Sequence, residues 1–326
     1  MSLGTLAALA TIFCLTSTTQ AATQKLVPRR LDGILVPKSQ SNLRPIAVMI
    51  DNHTAARPQS GLSKASVVYE SLAEGGIPRF MAVFADPNVG IVGPVRSTRP
   101  YFVNYATEYS APMAHAGGSP DGIAALKQHR LMNLEGIKGP YAKLFFRAYG
   151  GGVHGLYTNM GALRAAVAKS SAGKVAPNYT AYKYVAGVPT AKRGKNKSGI
   201  SIDLGFGSSY DVKYVYDRTN NRYVRYTGGR IQIDRQTRGT VTAKNVVVLL
   251  TGPAKVLDKK GRLSIPTIGS GKAVLLQNGK AMTIKWSKKS ARDRTIFTTI
   301  SGSQVKFVTG SLWITVLPKG HSYRVF

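Results

Sequence analysis

Two strings in the first half of this chain carry residue types suited to chemistry: Gly93-Pro94-Val95-Arg96-Ser97-Thr98-Arg99-Pro100-Tyr101-Phe102, and shortly after it His115-Ala116-Gly117-Gly118-Ser119-Pro120. Arginines at 96 and 99 beside hydroxyls suit an anionic ligand such as phosphate or carboxylate, because a guanidinium is a planar fork of donors. Cores are not built from such a mixture, so the expectation is a binding loop formed by Arg96, Ser97 and Arg99. The alternative is a stiff loop whose arginines pin neighbouring carbonyls or carboxylates. Arg57 and Arg79, at a turn and at a strand edge, are candidates to converge on the same cleft. The second string reads as a strand entering a helix. The backbone N–H groups of Gly117, Gly118 and Ser119 would face an anion there, helped by the helix dipole. A plain glycine turn with Ser119 as helix cap explains the same residues.

Catalysis asks for more. His115 as a general base needs a nucleophile and an orienting carboxylate. Ser97, Ser119, Asp51 and Glu74 are candidates, but no spacing ties them to His115. Asp51, Glu70 and Glu74 could serve as metal or general-base carboxylates, or neutralise the arginines. The histidines, at 53, 115, 129, 154 and 321, show no metal-ligand spacing. No metal and no cofactor is expected. Gly269-Ser270-Gly271-Lys272 lacks the remaining residues of a phosphate loop and reads as a hairpin turn between strands.

The elements that must position these residues follow from periodicity. Pro45-Ile46-Ala47-Val48-Met49-Ile50 and Arg79-Phe80-Met81-Ala82-Val83-Phe84 are unbroken apolar runs, as in buried strands. Residues 65–72 favour a strand and 100–109 a short helix. Residues 120–129 are a helix capped by Ser119 with Pro120 at its first position, and 161–169 are a helix with Asn159 as cap. Beyond about residue 200 short alternating segments recur, such as Val212-Lys213-Tyr214-Val215-Tyr216 and Arg222-Tyr223-Val224-Arg225-Tyr226, joined by Asn-Asn, Gly-Gly and Asn-Gly turns. The fold class read here is α+β: an N-terminal α/β layered domain with a mixed sheet, then a β-rich C-terminal domain. The boundaries are a signal or anchor segment at 1–22, a tether at 23–43, the first domain at 44–185, a basic linker at 186–204 and the second domain at 205–326.

The net charge is +31 over 326 residues. Residues 38–168 hold 13 basic and 7 acidic side chains, a net of +6, whereas 169–326 hold 29 and 6, a net of +23. The excess belongs to the second domain, with its bases expected on exposed faces. Such a field favours an anionic envelope polymer, an anionic membrane surface or nucleic acid, or serves solubility alone. Nucleic acid is the less favoured partner, because no zinc-finger, basic-zipper or ribonucleoprotein motif is present. Residues 3–15 form an apolar segment of signal-peptide length, too short to span a bilayer comfortably, followed by Gln20-Ala21-Ala22. Cleavage after Ala21 or Ala22, a retained anchor, and lipid attachment at Cys14, the single cysteine, are the alternatives; Phe13 fits the last one poorly.

Further strings accompany these: Arg44-Pro45-Ile46-Ala47-Val48-Met49-Ile50-Asp51-Asn52, Ala56-Arg57-Pro58-Gln59-Ser60-Gly61-Leu62, Glu74-Gly75-Gly76-Ile77-Pro78-Arg79-Phe80, Asn245-Val246-Val247-Val248-Leu249 and Ile268-Gly269-Ser270-Gly271-Lys272-Ala273, with Trp286 and Trp313-Ile314 in order after them. Together with the two opening strings they resemble the YerB-like family of bacterial proteins, described as lipoproteins, whose two domains have no assigned function. The resemblance spans about residues 44–318. It implies an extracytoplasmic bacterial protein and transfers no catalytic residue. The Arg-rich loop, strand and Ala-Gly-Gly-Ser-Pro turn are also somewhat similar to envelope phosphotransferases of the LytR-CpsA-Psr class, which hold a polyprenyl-linked pyrophosphate with arginines. Two functions are therefore expected. The first is a non-enzymatic envelope protein binding an anionic ligand or partner in an arginine cleft lined by Asp51, Arg57, Glu74, Arg79, Arg96, Ser97, Arg99, His115, Gly117, Gly118 and Ser119. The alternative is an envelope phosphotransferase or hydrolase acting on a lipid-linked phosphate.

Overall fold

Strands covered on both faces read as unbroken apolar runs, and Ile46–Ile50 and Pro78–Phe84 are buried at every residue. They lie inside a mixed sheet of ten strands. Its order from edge to edge is Ile296–Thr299, Lys280–Lys288, Gly269–Gln277, Asn245–Pro253, Leu312–Lys319, Val67–Leu72, Pro78–Phe84, Ile46–Ile50, Met113–His115, Asn133–Glu135. A computed structural model describes residues 25–205 and 207–326; the leader read at 1–22, with Cys14, lies outside them. Among the described residues the helices are α1 (Pro100–Thr107), α2 (Pro120–Gln128) and α3 (Met160–Lys169). None is long and apolar enough to cross a membrane. The class is α+β.

A second sheet of six strands is antiparallel throughout, built on Gly199–Asp203, Val212–Asp217, Arg222–Thr227 and Ser322–Val325. Val212–Asp217 alternates as its sequence predicts: Val212, Tyr214 and Tyr216 are buried, and Lys213 between them is exposed. The large sheet draws strands from both halves of the chain. The join is a parallel pair, Leu312–Lys319 against Val67–Leu72, with Leu312 opposite Val67 and Thr315 opposite Glu70. The change of sequence character near residues 186–204 thus does not interrupt the main sheet.

Several segments differ from their sequence reading. Gly199–Asp203, inside the stretch read as a linker, is a strand. The stretch read as a tether contains a hairpin, Leu26–Pro28 against Leu35–Pro37. Polar contacts fasten its turn: buried Arg29 and Asp32 pair at 2.7 Å, the Ser66 hydroxyl donates to Asp32 at 2.6 Å, and Leu31 enters the core. The bases of the second half are not all on exposed faces, since Arg225, Lys288 and Arg294 are buried.

Gly269-Ser270-Gly271-Lys272 is not a turn but the start of the strand Gly269–Gln277. Its glycine is needed by close approach rather than by reversal of the chain. A Cβ on Gly271 would meet Trp286 Nε1 at 2.7 Å and the Leu250 carbonyl oxygen at 2.9 Å, the two atoms that share a 2.9 Å hydrogen bond. Gly271→Ala should therefore separate that pair and lower stability by about 1–3 kcal/mol. The measurement is the midpoint of urea unfolding followed by tryptophan fluorescence, and an unchanged midpoint would show that the contact yields freely.

Candidate functional site

The Arg-rich segment is less exposed than its composition suggests. Val95, Thr98, Tyr101 and Phe102 are buried. The chain is threaded between four neighbours: Val95 bridges Ile50 and donates to the Leu156 carbonyl, Gly93 bridges Ser60, and Thr98 bridges Gly118. The Arg96 backbone donates to the Met49 carbonyl at 3.0 Å and accepts from the Ala116 amide at 3.0 Å. This stitching fixes where each arginine leaves the backbone.

Arg96 meets Asp51, the residue that ends the Ile46–Ile50 strand. Its Nε lies 3.1 Å from Asp51 Oδ2 as an ion pair without hydrogen-bond alignment. The same oxygen accepts from His154 Nδ1 at 2.8 Å, and Oδ1 accepts from the His53 amide at 2.9 Å. The His53 and His154 rings stack with centroids 4.6 Å apart. Asp51 is buried, whereas the Arg96 and His154 side chains are 25% and 23% exposed. The terminal nitrogens of Arg96 take no partner among the described residues. His154 follows three consecutive glycines, 150–152, in a surface loop.

Arg79 and Arg99 go elsewhere. Both pair with Glu74: Arg79 NH2 at 3.0 Å from one carboxylate oxygen, Arg99 Nε on the other. Arg79 also donates to the Ser97 carbonyl at 3.2 Å, and Arg99 to the Thr98 carbonyl. Burial brings the Arg79 guanidinium down to about 10, the charge of Arg99 adding to the fall and Glu74 opposing it. Burial raises the Glu74 carboxyl, but the Arg99 hydrogen bond and the two guanidinium charges outweigh it and hold the group below its usual range. Arg57 is spent as well. It donates to the Asn52 side chain at 3.2 Å, the Asn52 carbonyl at 3.0 Å and the Ser209 carbonyl at 2.8 Å, forming one wall of a groove of about 630 Å3 beside Ile231 and Ile233.

His115 has no exposed surface; its Nδ1 lies 2.9 Å from the Gly117 carbonyl and its Nε2 2.7 Å from the Asn133 side-chain oxygen. Ser119 caps α2 by accepting from the Gly122 amide at 3.1 Å. The Gly117 amide faces Glu135 Oε1 at 2.9 Å, and Gly118 packs on Ile123 and Thr98. Ser97 is half-buried and contributes its carbonyl to Arg79. The sequence candidates thus fall into four sets of polar contacts: Asp51 with Arg96; Glu74 with Arg79 and Arg99; Arg57 with Asn52 and Ser209; and His115 with its glycine turn. The sets are neighbours, since the Arg96 charge also depresses Arg79 and Asp51 acts on Arg57. The phosphotransferase alternative would place Arg79, Arg96 and Arg99 around one Asp51 or Glu74 base; in the structure Arg96 pairs with Asp51 and the other two with Glu74. The site gains His154, which the sequence reading passed over. Its signal was local, a histidine beside Gly150-Gly151-Gly152, while its partner Asp51 lies 103 residues away. Among the described residues no group of three or more His, Cys, Asp and Glu is placed to hold a metal ion.

A buried polar chain runs from this site into the second half. Asp51 accepts through its carbonyl from the Gln59 side chain at 3.0 Å, and Gln59 accepts from Gln232 at 3.0 Å. Gln232 accepts from Arg225 Nε at 2.6 Å, and Arg225 NH2 meets Glu70 at 2.6 Å. Asn52 also lies against Glu70, at 3.5 Å. Glu70, one of the carboxylates singled out from sequence, neutralises an arginine, and that arginine comes from the other half of the chain.

A mixed sheet spanning both halves, an antiparallel second sheet and a polar cluster at their seam define a two-part α+β architecture built from N- and C-terminal units. Residues 31–174 match the family model described as "Protein of unknown function (DUF3048) N-terminal domain", and 202–314 match its C-terminal counterpart. The chain is 32% identical over 299 residues to "Putative lipoprotein YerB" of Bacillus subtilis, covering 91% of this chain and 88% of that protein. It is similar to the crystal structure of the YerB protein of Bacillus subtilis, with a TM-score of 0.79 and 29% identity over 91% of this chain and 99% of the other. The chain belongs to this YerB-like DUF3048 family.

Proposed function

We propose that this protein is an extracytoplasmic envelope protein that binds an anionic ligand at Arg96. One observation carries the reading. Of the four arginines singled out from sequence, Arg57, Arg79 and Arg99 each have at least one terminal nitrogen engaged by Glu74 or a backbone carbonyl, whereas neither terminal nitrogen of Arg96 has a partner among the described residues, and its Nε pairs with Asp51. A guanidinium oriented by a buried carboxylate offers its outer edge as a ready fork for an oxyanion. The envelope address is supported by the apolar leader at 3–15 and by the lipoprotein name of the Bacillus relative.

The basic second half is assigned to contact with an anionic envelope polymer. Lys272 and Lys285 face each other across the ladder of Gly269–Gln277 and Lys280–Lys288, exposed, with no acidic residue in either strand. Like charges directly opposite are destabilising, and a polyanion would relieve that cost.

The test is calorimetric titration of inorganic phosphate into the full chain. Arg96→Gln should weaken binding by roughly tenfold or more, the loss expected for a hydrogen bond to a charged group. Unchanged affinity in Arg96→Gln would reject the reading.

A further inference from the structure

We infer that His154 is the second donor of the Arg96 site, and that the site takes a tetrahedral oxyanion, of the sulfate or phosphate-ester class, with His154 as imidazolium. This rests on the reading of Arg96 above and adds to it a residue, a ligand geometry and a dependence on pH.

A carboxylate only accepts hydrogen bonds, so the 2.8 Å contact between His154 Nδ1 and Asp51 Oδ2 places a proton on Nδ1. A second proton on this ring goes to Nε2, which takes no partner among the described residues. His53, stacked on it, is in the opposite situation. Its Nδ1 accepts from the Ala55 amide at 3.2 Å, so the proton of that ring sits on Nε2. Two stacked imidazolium rings would repel each other, and the ring with an acceptor at Nδ1 and an unpartnered Nε2 is His154.

Asp51 and Arg96 cancel, so the cluster is neutral when His154 is neutral and carries one positive charge when it is protonated. The other charged groups around the cluster are guanidiniums: Arg147, which binds the Gly152 carbonyl; Arg235, 5.0 Å over the Tyr149 ring; Arg57, which lies within reach of the Asp51 charge; and Arg79, within reach of Arg96 and paired with Glu74. Glycines precede His154 at 150–152, and a Cβ built on Gly151 or Gly152 meets nothing within 4 Å. The loop that leads into His154 is thus open on that side. An imidazolium N–H and a guanidinium edge, both tied to one carboxylate oxygen, suit an anion with oxygens in several directions.

Sulfate remains a dianion across the range in which histidine changes charge, so any pH dependence of its binding belongs to the protein. Calorimetric titration of sodium sulfate into the full chain at about pH 5.5 and about pH 8, at constant ionic strength, uses wild type, His154→Gln, His53→Gln and Arg96→Gln. Wild-type affinity should fall by roughly tenfold from the lower to the higher pH. His154→Gln should bind weakly with a flat profile, and His53→Gln should keep the fall. A flat wild-type profile, a fall that persists in His154→Gln, or no sulfate binding at either pH would overturn the inference. Weakened binding in Arg96→Gln beside a flat wild-type profile would leave the Arg96 reading standing without it. Glycerol phosphate run in parallel separates an ester ligand, which should bind more tightly than sulfate, from a free oxyanion.

Discussion

Glu108→Ala should destabilise the protein by about 3–5 kcal/mol, the cost of stranding a buried charge by removing its partner. Glu108 follows α1 and has almost no exposed surface. It serves two cations from the other half of the chain, Lys288 Nζ at 3.1 Å and Arg294 NH1 at 2.9 Å. The Thr295 amide donates to it at 2.6 Å and the Thr295 hydroxyl at 2.9 Å, and the Tyr69 hydroxyl donates to its other oxygen. Arg294 is held between the Tyr109 and Tyr182 rings, 4.1 Å from each centroid. Without Glu108, two buried cations share a site whose nearest remaining counter-charge is the exposed Asp293. Lys288 can shed its proton, and burial already pushes its ammonium down; Arg294 cannot. Urea unfolding monitored by the fluorescence of Trp286 and Trp313 reads the loss directly. A shift worth less than about 1 kcal/mol, within the range of an exposed ion pair, would refute the assignment.

The same group gives a pH signature. Burial raises the Glu108 carboxyl, but Arg294 and Lys288, aided by Tyr69 and Thr295, outweigh it and leave it below the ordinary carboxylate range. A carboxylate depressed in the folded state adds stability above its unfolded value, about 4.3, and loses it as pH falls through the folded value. Wild type should therefore weaken below about pH 4 more steeply than Glu108→Gln, which has no such carboxylate to protonate.

Arg225→Ala is the second large effect, again about 3–5 kcal/mol, because it leaves Glu70 charged in the core. Arg225 and Glu70 have no exposed surface. The guanidinium also bonds the Tyr214 hydroxyl at 2.5 Å and lies near the Trp313, Phe80 and Tyr214 rings, at 4.9, 5.2 and 5.2 Å. The double variant Glu70→Ala with Arg225→Ala should lose clearly less than the sum of the single losses, since the second change removes a charge already stranded. Strict additivity would show that the two do not act as a pair. Because Arg225 reaches Asp51 through Gln232 and Gln59, Arg225→Ala should also weaken phosphate binding at Arg96. Arg225 touches no ligand; its part is positioning.

Local features were legible. The apolar runs at 46–50 and 79–84 became buried strands, Ser119 capped α2, Asn159 capped α3, and alternation marked Val212–Asp217. Each rests on periodicity or capping over fewer than ten residues. What escaped the sequence was set by partners far along the chain. Gly271 looked like a turn because Trp286 and Leu250, which demand the glycine, come from neighbouring strands. Glu108 meets Lys288 across 180 residues and Glu70 meets Arg225 across 155, so a strand such as Val67–Leu72 shows an acid in an apolar run but not its counter-ion. The candidate site was half legible. Residue types pointed to Arg96 and Asp51, while the division of the other arginines between Glu74 and Asn52 depended on side-chain reach, which spacing does not encode.

The central claim is that an anion sits on the free edge of Arg96, beside the carboxylate it shares with His154. The most direct measurement is a crystal structure after soaking with tungstate, a tetrahedral dianion located by its anomalous signal. A tungstate should be found bonded to the Arg96 terminal nitrogens and to His154 Nε2, with the Asp51 contacts intact. Tungstate found only on exposed lysines such as Lys272 and Lys285, with the Arg96 edge bare, would contradict it.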